Sequence, residues 1–110
     1  MTIKLTFEKE YKEPKGKYLH LKLIVNDKCC IDDIVITGDF FAYPPENIDK
    51  LSLMLKGLTL LSIDDLMERV EDIIKNTEII GINSRVFKEL ILGLLKEGLK
   101  ECQRAKEKYI

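Results

Sequence analysis

Between Ile34 and Glu46 the hydrophobic pattern of the chain changes period, and that change decides its architecture. Ahead of this stretch apolar and polar residues alternate, as they do in strands. Behind it apolar residues recur every three or four positions, as they do in helices. The hinge itself reads Ile34-Val35-Ile36-Thr37-Gly38-Asp39-Phe40-Phe41-Ala42-Tyr43-Pro44-Pro45-Glu46. Val35 and Ile36 are β-branched and suit a pleated surface. Gly38 permits backbone conformations that a Cβ resists, and Asp39 is expected to accept hydrogen bonds from nearby backbone N–H groups and hold the turn. Pro45 fits the first helical position, and Glu46 suits the positive end of the helix dipole. The stretch reads as a tight strand-to-helix corner, which by itself names no reaction.

Ahead of the corner, residues 3–9 set Ile3, Leu5 and Phe7 against Lys4, Thr6 and Glu8, the pattern of a strand with one wet face. Tyr11 to Lys17 is basic and broken by Pro14 and Gly16, so it is expected to be a loop. Residues 18–25 alternate again, with Leu19, Leu21, Leu23 and Val25 facing in and His20 and Lys22 facing out. Asn26-Asp27-Lys28 makes a hairpin turn into a third strand at about 29–37. In that strand Ile31 is out of phase with Ile34 and Ile36, so Asp32-Asp33 marks a bulge or register change.

Behind the corner, Ile48, Leu51 and Leu55 define a helix over about 45–56, ended by Gly57. Ser62-Ile63-Asp64-Asp65 resembles a capping box for a second helix over 63–75, with Leu66, Val70, Ile73 and Ile74 on its stripe. Asn76 to Asn83 is a connector, with Ile79-Ile80-Gly81-Ile82 apolar enough to be buried. Asn83 or Ser84 caps a last helix over 84–104, striped by Phe87, Leu90, Ile91, Leu94, Leu95 and Leu99. Gly93 and Gly98 weaken that helix and suggest close packing. The charged tail beyond Cys102 is expected to fray. Three strands followed by three helices predict an α+β fold, an antiparallel sheet covered on one face.

The 110 residues suffice for a single domain spanning 1–110, and 45% hydrophobic with 34% charged residues is the composition of a soluble globular one. A net charge of -1 gives no reason to expect nucleic-acid binding. No apolar run is long enough for a membrane span, and the start of the chain offers no signal-peptide core. Three cysteines, an odd count, fit a reducing cytoplasm better than a disulfide framework.

Few residues invite chemistry. His20 is the sole histidine, so no triad or zinc site is built around it. Cys29 and Cys30, as neighbours on a strand, would point to opposite faces, and read better as small apolar fillers than as reactive thiols. Cys102 has no Cys or His at ligand spacing, and no metal site is expected. Asp32-Asp33 and Asp64-Asp65 read as a bulge and a helix start before they read as acid/base pairs. The loop Lys12–Lys17 carries lysines around Pro14 and Gly16, a basic tip able to reach a phosphate or carboxylate. No Walker loop, G-x-S-x-G or H-E-x-x-H is present.

Taken together and in order, these stretches resemble the C-terminal accessory domain of lipoate–protein ligases. Lys12-Glu13-Pro14-Lys15-Gly16-Lys17 is similar to that family's K-x-P-x-G-K-like loop, and Ile36-Thr37-Gly38-Asp39-Phe40-Phe41 to its I-x-G-D-F-F corner. A P-E-x-I helix follows, ending in Leu55-Lys56-Gly57, and Ile79-Ile80-Gly81-Ile82-Asn83 stands before the last helix. The resemblance covers roughly residues 4–100, with Gly-Asp-Phe-Phe its most specific part.

The resemblance implies an accessory subunit, not catalytic alone, required with a large catalytic subunit for ATP-dependent activation of lipoate to lipoyl-AMP. Acceptor proteins carrying lipoyl domains would then be modified on lysine. In some organisms the two parts are separate polypeptides, and Met1 directly before the first strand resembles that split arrangement. ATP, magnesium and lipoate would lie at the partner's site, with no cofactor bound by this chain alone. Lys12 and Lys17 would face that site and offset charge during adenylation. Gly16, Gly38 and Asp39 belong to the motif stretches, the latter two shaping the corner more than touching substrate. Phe40 and Phe41 would be core plugs, or one of them an anchor for the large subunit. The implied fold is also similar to that of iron–sulfur scaffold and sulfur-acceptor proteins, so the alternative is a stand-alone sulfur or iron–sulfur carrier using Cys29 or Cys30. Those proteins place a reactive Cys where this chain has Gly38-Asp39-Phe40, which favours the ligase reading.

Overall fold

The alternating segments pair into an antiparallel sheet with β2 (Tyr18–Val25) between β1 (Leu5–Lys12) and β3 (Ile31–Gly38). This is a computed structural model, and it describes residues 4–15 and 17–107. Met1, Ile3 at the head of the expected first strand, Gly16 in the basic loop and the end of the charged tail lie outside the described residues. Leu19, Leu21, Leu23 and Val25 of β2 are fully buried, while Lys22 and His20 turn to the opposite face. Alternation thus assigns the faces as the sequence predicts. Ile24 pairs with Asp33 but Val25 with Ile31, so Asp32 is the extra residue of a bulge. The bulge lets Ile31 and Ile34 both enter the core.

The loop after β1 is shorter than expected. Tyr11 and Lys12 stay in the strand, opposite Leu19 and Tyr18, because Tyr11 continues the half-buried face set by Phe7. A Glu13 N–H donating to the Lys17 carbonyl at 2.7 Å closes the turn. At the other end of β2, Cys29 and Cys30 precede the third strand instead of belonging to it. Asn26 Oδ1 accepts from the N–H groups of Lys28 (2.9 Å) and Cys30 (3.1 Å), and Cys29 takes φ 61° within that turn. Cys29 is buried, the filler role read from the sequence.

Behind the corner lie α1 (Glu46–Leu55), α2 (Ile63–Lys75) and α3 (Ser84–Glu107). α1 packs on β3 and α3 on β1 and β2, while α2 packs on both helices, all on one face of the sheet and around one core. Gly57 (φ +87°) stops α1, and its N–H donates to the Ile31 carbonyl at 2.7 Å. The capping box at Ser62 is not formed: the Ser62 side chain caps nothing, and a 3₁₀ turn at Leu60–Ser62 leads into α2. Thr59 caps that turn instead, its Oγ1 accepting from the Leu61 N–H at 3.1 Å. Asn83 is the cap of α3, accepting from Arg85 and Val86 N–H at 2.9 and 3.3 Å. α3 continues to Glu107, past the end expected at 104. Gly98 lets α3 pack closely: a Cβ there would stand 3.0 Å from Leu23 Cδ2 and 3.1 Å from Leu60 Cδ1.

A second, two-stranded sheet was not expected. β4 (Phe41–Tyr43) pairs antiparallel with β5 (Glu78–Ile80), with Phe41 opposite Ile80 and Tyr43 opposite Glu78. Three residues are too few for alternation to show in a sequence, and the partners are far apart along the chain. Asn47 ties the two strands' flanks together, its Nδ2 donating to Thr77 Oγ1 at 2.8 Å. No helix among the described residues is long and apolar enough to cross a membrane.

Candidate functional site at the strand-to-helix corner

Three stretches singled out in the sequence meet at one end of the fold. The corner is held by main chain: the Asp39 N–H donates to the Tyr18 carbonyl at 2.8 Å, which ties the end of β3 to the start of β2. Gly38 is required sterically, since a Cβ there would collide with the Tyr18 carbonyl oxygen and lie 3.0 Å from Leu19 Cα. The Asp39 carboxylate does not hold the turn as expected. It makes no hydrogen bond among the described residues and is exposed.

Gly81 brings the third stretch in. It sits at φ +104°, and a Cβ on it would come within 3.2 Å of the Asp39 carbonyl oxygen and 3.8 Å of Lys17 Cδ. The Lys17 stem therefore lies over the junction of corner and β5. Lys15, Lys17, Gly38, Asp39, Phe40 and Phe41 line an open groove of about 420 Å³ here. Two ammonium groups and one carboxylate share it, so it offers net positive charge to a phosphate or carboxylate.

Lys12 is not part of this groove. It ends β1 on the exposed face, opposite Tyr18. The resemblance implies Lys12 and Lys17, whereas the structure brings Lys15 and Lys17 to the corner. Nothing in the local pattern distinguishes these lysines, because the turn geometry decides which of them reaches the groove.

The two phenylalanines part company. Phe40 is half-buried and meets Phe87 of α3 edge-on, with ring centroids 5.3 Å apart and an interplanar angle of 62°. It is the core plug expected. Phe41 is 67% exposed and plugs nothing. Phe40 precedes β4 and Phe41 opens it, and the two rings end in different surroundings. A second groove, about 290 Å³, continues from Phe40 and Phe41 along Ala42, Tyr43, Pro45 and Ile48.

The cysteines lie elsewhere. Cys29 is buried beneath the β2–β3 turn, Cys102 is buried on α3, and Cys30 is half-buried with its Sγ 3.8 Å from the Lys28 carbonyl. Among the described residues no group of three His, Cys, Asp or Glu side chains is placed to hold a metal ion.

No model of a known protein family matches the chain. It is 35% identical over 66 residues to lipoate-protein ligase A subunit 2 of Thermoplasma acidophilum, a match covering 60% of this chain and 68% of that protein. Its fold is similar to that of a chain in the solved structure of an archaeal lipoylation system, described as a bi-partite lipoate protein ligase and its E2 lipoyl domain from the same organism. That similarity has a TM-score of 0.61 and 26% identity, covering 79% of this chain and 94% of the other.

Proposed function

Because the chain belongs to the family of lipoate-protein ligase A subunit 2, we propose that it is the accessory subunit of a two-part lipoate–protein ligase. It acts with a separate catalytic subunit in the ATP-dependent activation of lipoate to lipoyl-AMP, and so in the lipoylation of acceptor lysines on lipoyl-domain proteins. Its place of work is the cytoplasm. The observation that carries this reading is the convergence of Lys15 and Lys17 with the Gly38–Phe41 corner and Gly81.

In the first step the lipoate carboxylate attacks the α-phosphorus of ATP. A new P–O bond forms, the α–β bridging bond breaks, and pyrophosphate leaves. Negative charge on the phosphoryl oxygens must be offset, and a lysine ammonium brought to the rim of the site does that without a proton transfer. We assign this role to Lys17, whose stem lies at the corner, with Lys15 lining the same groove. In the second step the acceptor amine attacks the lipoyl carbonyl, loses a proton, and displaces AMP. That step asks nothing of this groove. Asp39 tempers the charge of the groove. In this reading ATP, magnesium and lipoate belong to the catalytic subunit, with this chain contributing cations.

The carrier reading is not favoured, since the corner carries Asp39-Phe40 in place of a cysteine and Cys29 is sealed in the core. The test of the ligase reading is lipoyl-AMP formation from lipoate and MgATP by the catalytic subunit, with and without this chain. Adenylation that appears only on mixing supports it. Equal adenylation in both samples, with no complex on gel filtration, overturns it.

A further inference from the structure

The β4–β5 ribbon turns one face inward and one outward. Ala42 and Ile79 lie opposite one another; Ala42 is buried and Ile79 packs against the core. Phe41, Tyr43 and Ile80 face out, at 67%, 58% and 46% exposure. Phe41 and Ile80 are direct cross-strand neighbours, so their side chains form one surface. Among the described residues the other large exposed apolar side chains, Val35, Leu53 and Leu61, fall singly on three different elements. Single exposed apolar side chains are ordinary, whereas three on a six-residue ribbon are a patch.

We propose that this outer ribbon face is where the catalytic subunit docks, and that docking there delivers Lys15 and Lys17 to the partner's anionic substrates. The proposal rests on the accessory-subunit reading and adds to it the surface and the orientation.

Two observations choose this occupant. First, Phe41 lines both the basic groove and the apolar groove beside it, so a body seated on the ribbon also faces Lys15 and Lys17. Second, charge matching then requires a negative group at the lysine end of the footprint. A subunit holding ATP and a lipoate carboxylate supplies that group. The ribbon alone offers less than the roughly 800 Å² per partner of a standard interface. It therefore serves as the apolar centre, with the lysines and Asp39 on the polar rim.

The test is binding of the purified catalytic subunit by calorimetry, using the full chain and its Phe41→Asp, Ile80→Asp, Lys17→Ala and Leu53→Asp variants. Phe41→Asp and Ile80→Asp should each weaken binding roughly tenfold or more, with wild-type circular dichroism and melting temperature. Excess catalytic subunit should restore adenylation with these two. Lys17→Ala should bind nearly as well as wild type yet stay slow in adenylation at any partner concentration. Leu53→Asp should bind as wild type. If either ribbon variant fails to fold, Phe41→Ala and Ile80→Ser carry the same comparison. Unchanged binding by folded ribbon variants overturns the docking surface while leaving the accessory role intact. A homodimer dissolved by Phe41→Asp, with unaltered binding to the catalytic subunit, assigns the face to self-association and also overturns it. No binding by the wild-type chain would sink the accessory reading itself, and the docking surface with it.

Discussion

The Tyr18 carbonyl oxygen accepts the Asp39 N–H at 2.8 Å and fills the space that a Cβ on Gly38 would need. One atom thus fixes both the direction of the chain out of β3 and the identity of the residue before the turn. Gly38→Ala must push apart two backbones, and neither has a flexible end to yield. We expect a loss of about 2 kcal/mol or more, read as a lower midpoint in urea denaturation of the chain alone. A wild-type midpoint would show that the corner gives way easily.

Phe40 and Phe41 should separate cleanly in stability. Phe40→Ala removes the ring packed on Phe87 and should cost about 3 kcal/mol. Phe41→Ala removes an exposed ring and should stay within about 0.5 kcal/mol of wild type. Thermal melts of both variants decide it, and equal losses would mean that Phe41 is packed after all.

The lysines should separate in activity. In the reconstituted ligase, Lys17→Ala should slow lipoyl-AMP formation by roughly tenfold or more and leave transfer from preformed lipoyl-AMP near normal. Lys12→Ala, outside the lining of the groove, should do less to either step. Equal damage to adenylation and transfer by Lys17→Ala would count against a charge-offsetting role.

The entry into α2 offers a direct comparison of two hydroxyls. Thr59→Ala deletes a cap and should cost about 1 kcal/mol, while Ser62→Ala should be close to neutral because its side chain caps nothing. The reverse order in denaturant midpoints would restore the capping box read from the sequence.

Asp32 provides the pH dependence. The Lys4 ammonium, 3.0 Å away, holds its carboxyl below the usual carboxylate range; partial desolvation opposes this, and Asn26 and Lys56 add to the lowering. A carboxyl depressed on folding stabilises the fold above its unfolded pKa, about 3.9, and that contribution fades as pH falls through the lower folded value. Lys4→Met should therefore be slightly less stable than wild type at pH 7 and converge with it in strong acid. The effect is small because both groups are partly exposed. A gap that persists unchanged at low pH would assign it to packing.

The sequence revealed what is periodic and local. The alternation of Leu19, Leu21, Leu23 and Val25 set the faces of the sheet, the phase break at Ile31 located the bulge, and the Gly-Asp-Phe-Phe corner pointed to the family. It hid what depends on distant partners. β4 and β5 are each three residues, and their pairing joins Phe41 to Ile80 across two helices. A glycine at position 38 signals conformational freedom in the sequence, whereas the obstacle in the fold is the Tyr18 carbonyl, a neighbour that no local pattern shows. For the same reason Phe40 and Phe41 looked alike, and Lys15 did not stand out from Lys12.

The ribbon has a further consequence if its outer face is the docking surface. Among the described residues the two three-residue strands pair only with each other, and Ala42 and Ile79 hold them to the rest of the fold. Copies made in excess of the large subunit would carry the apolar outer face uncovered. Balanced synthesis of the two polypeptides then becomes a matter of protein quality control as much as of ligase yield.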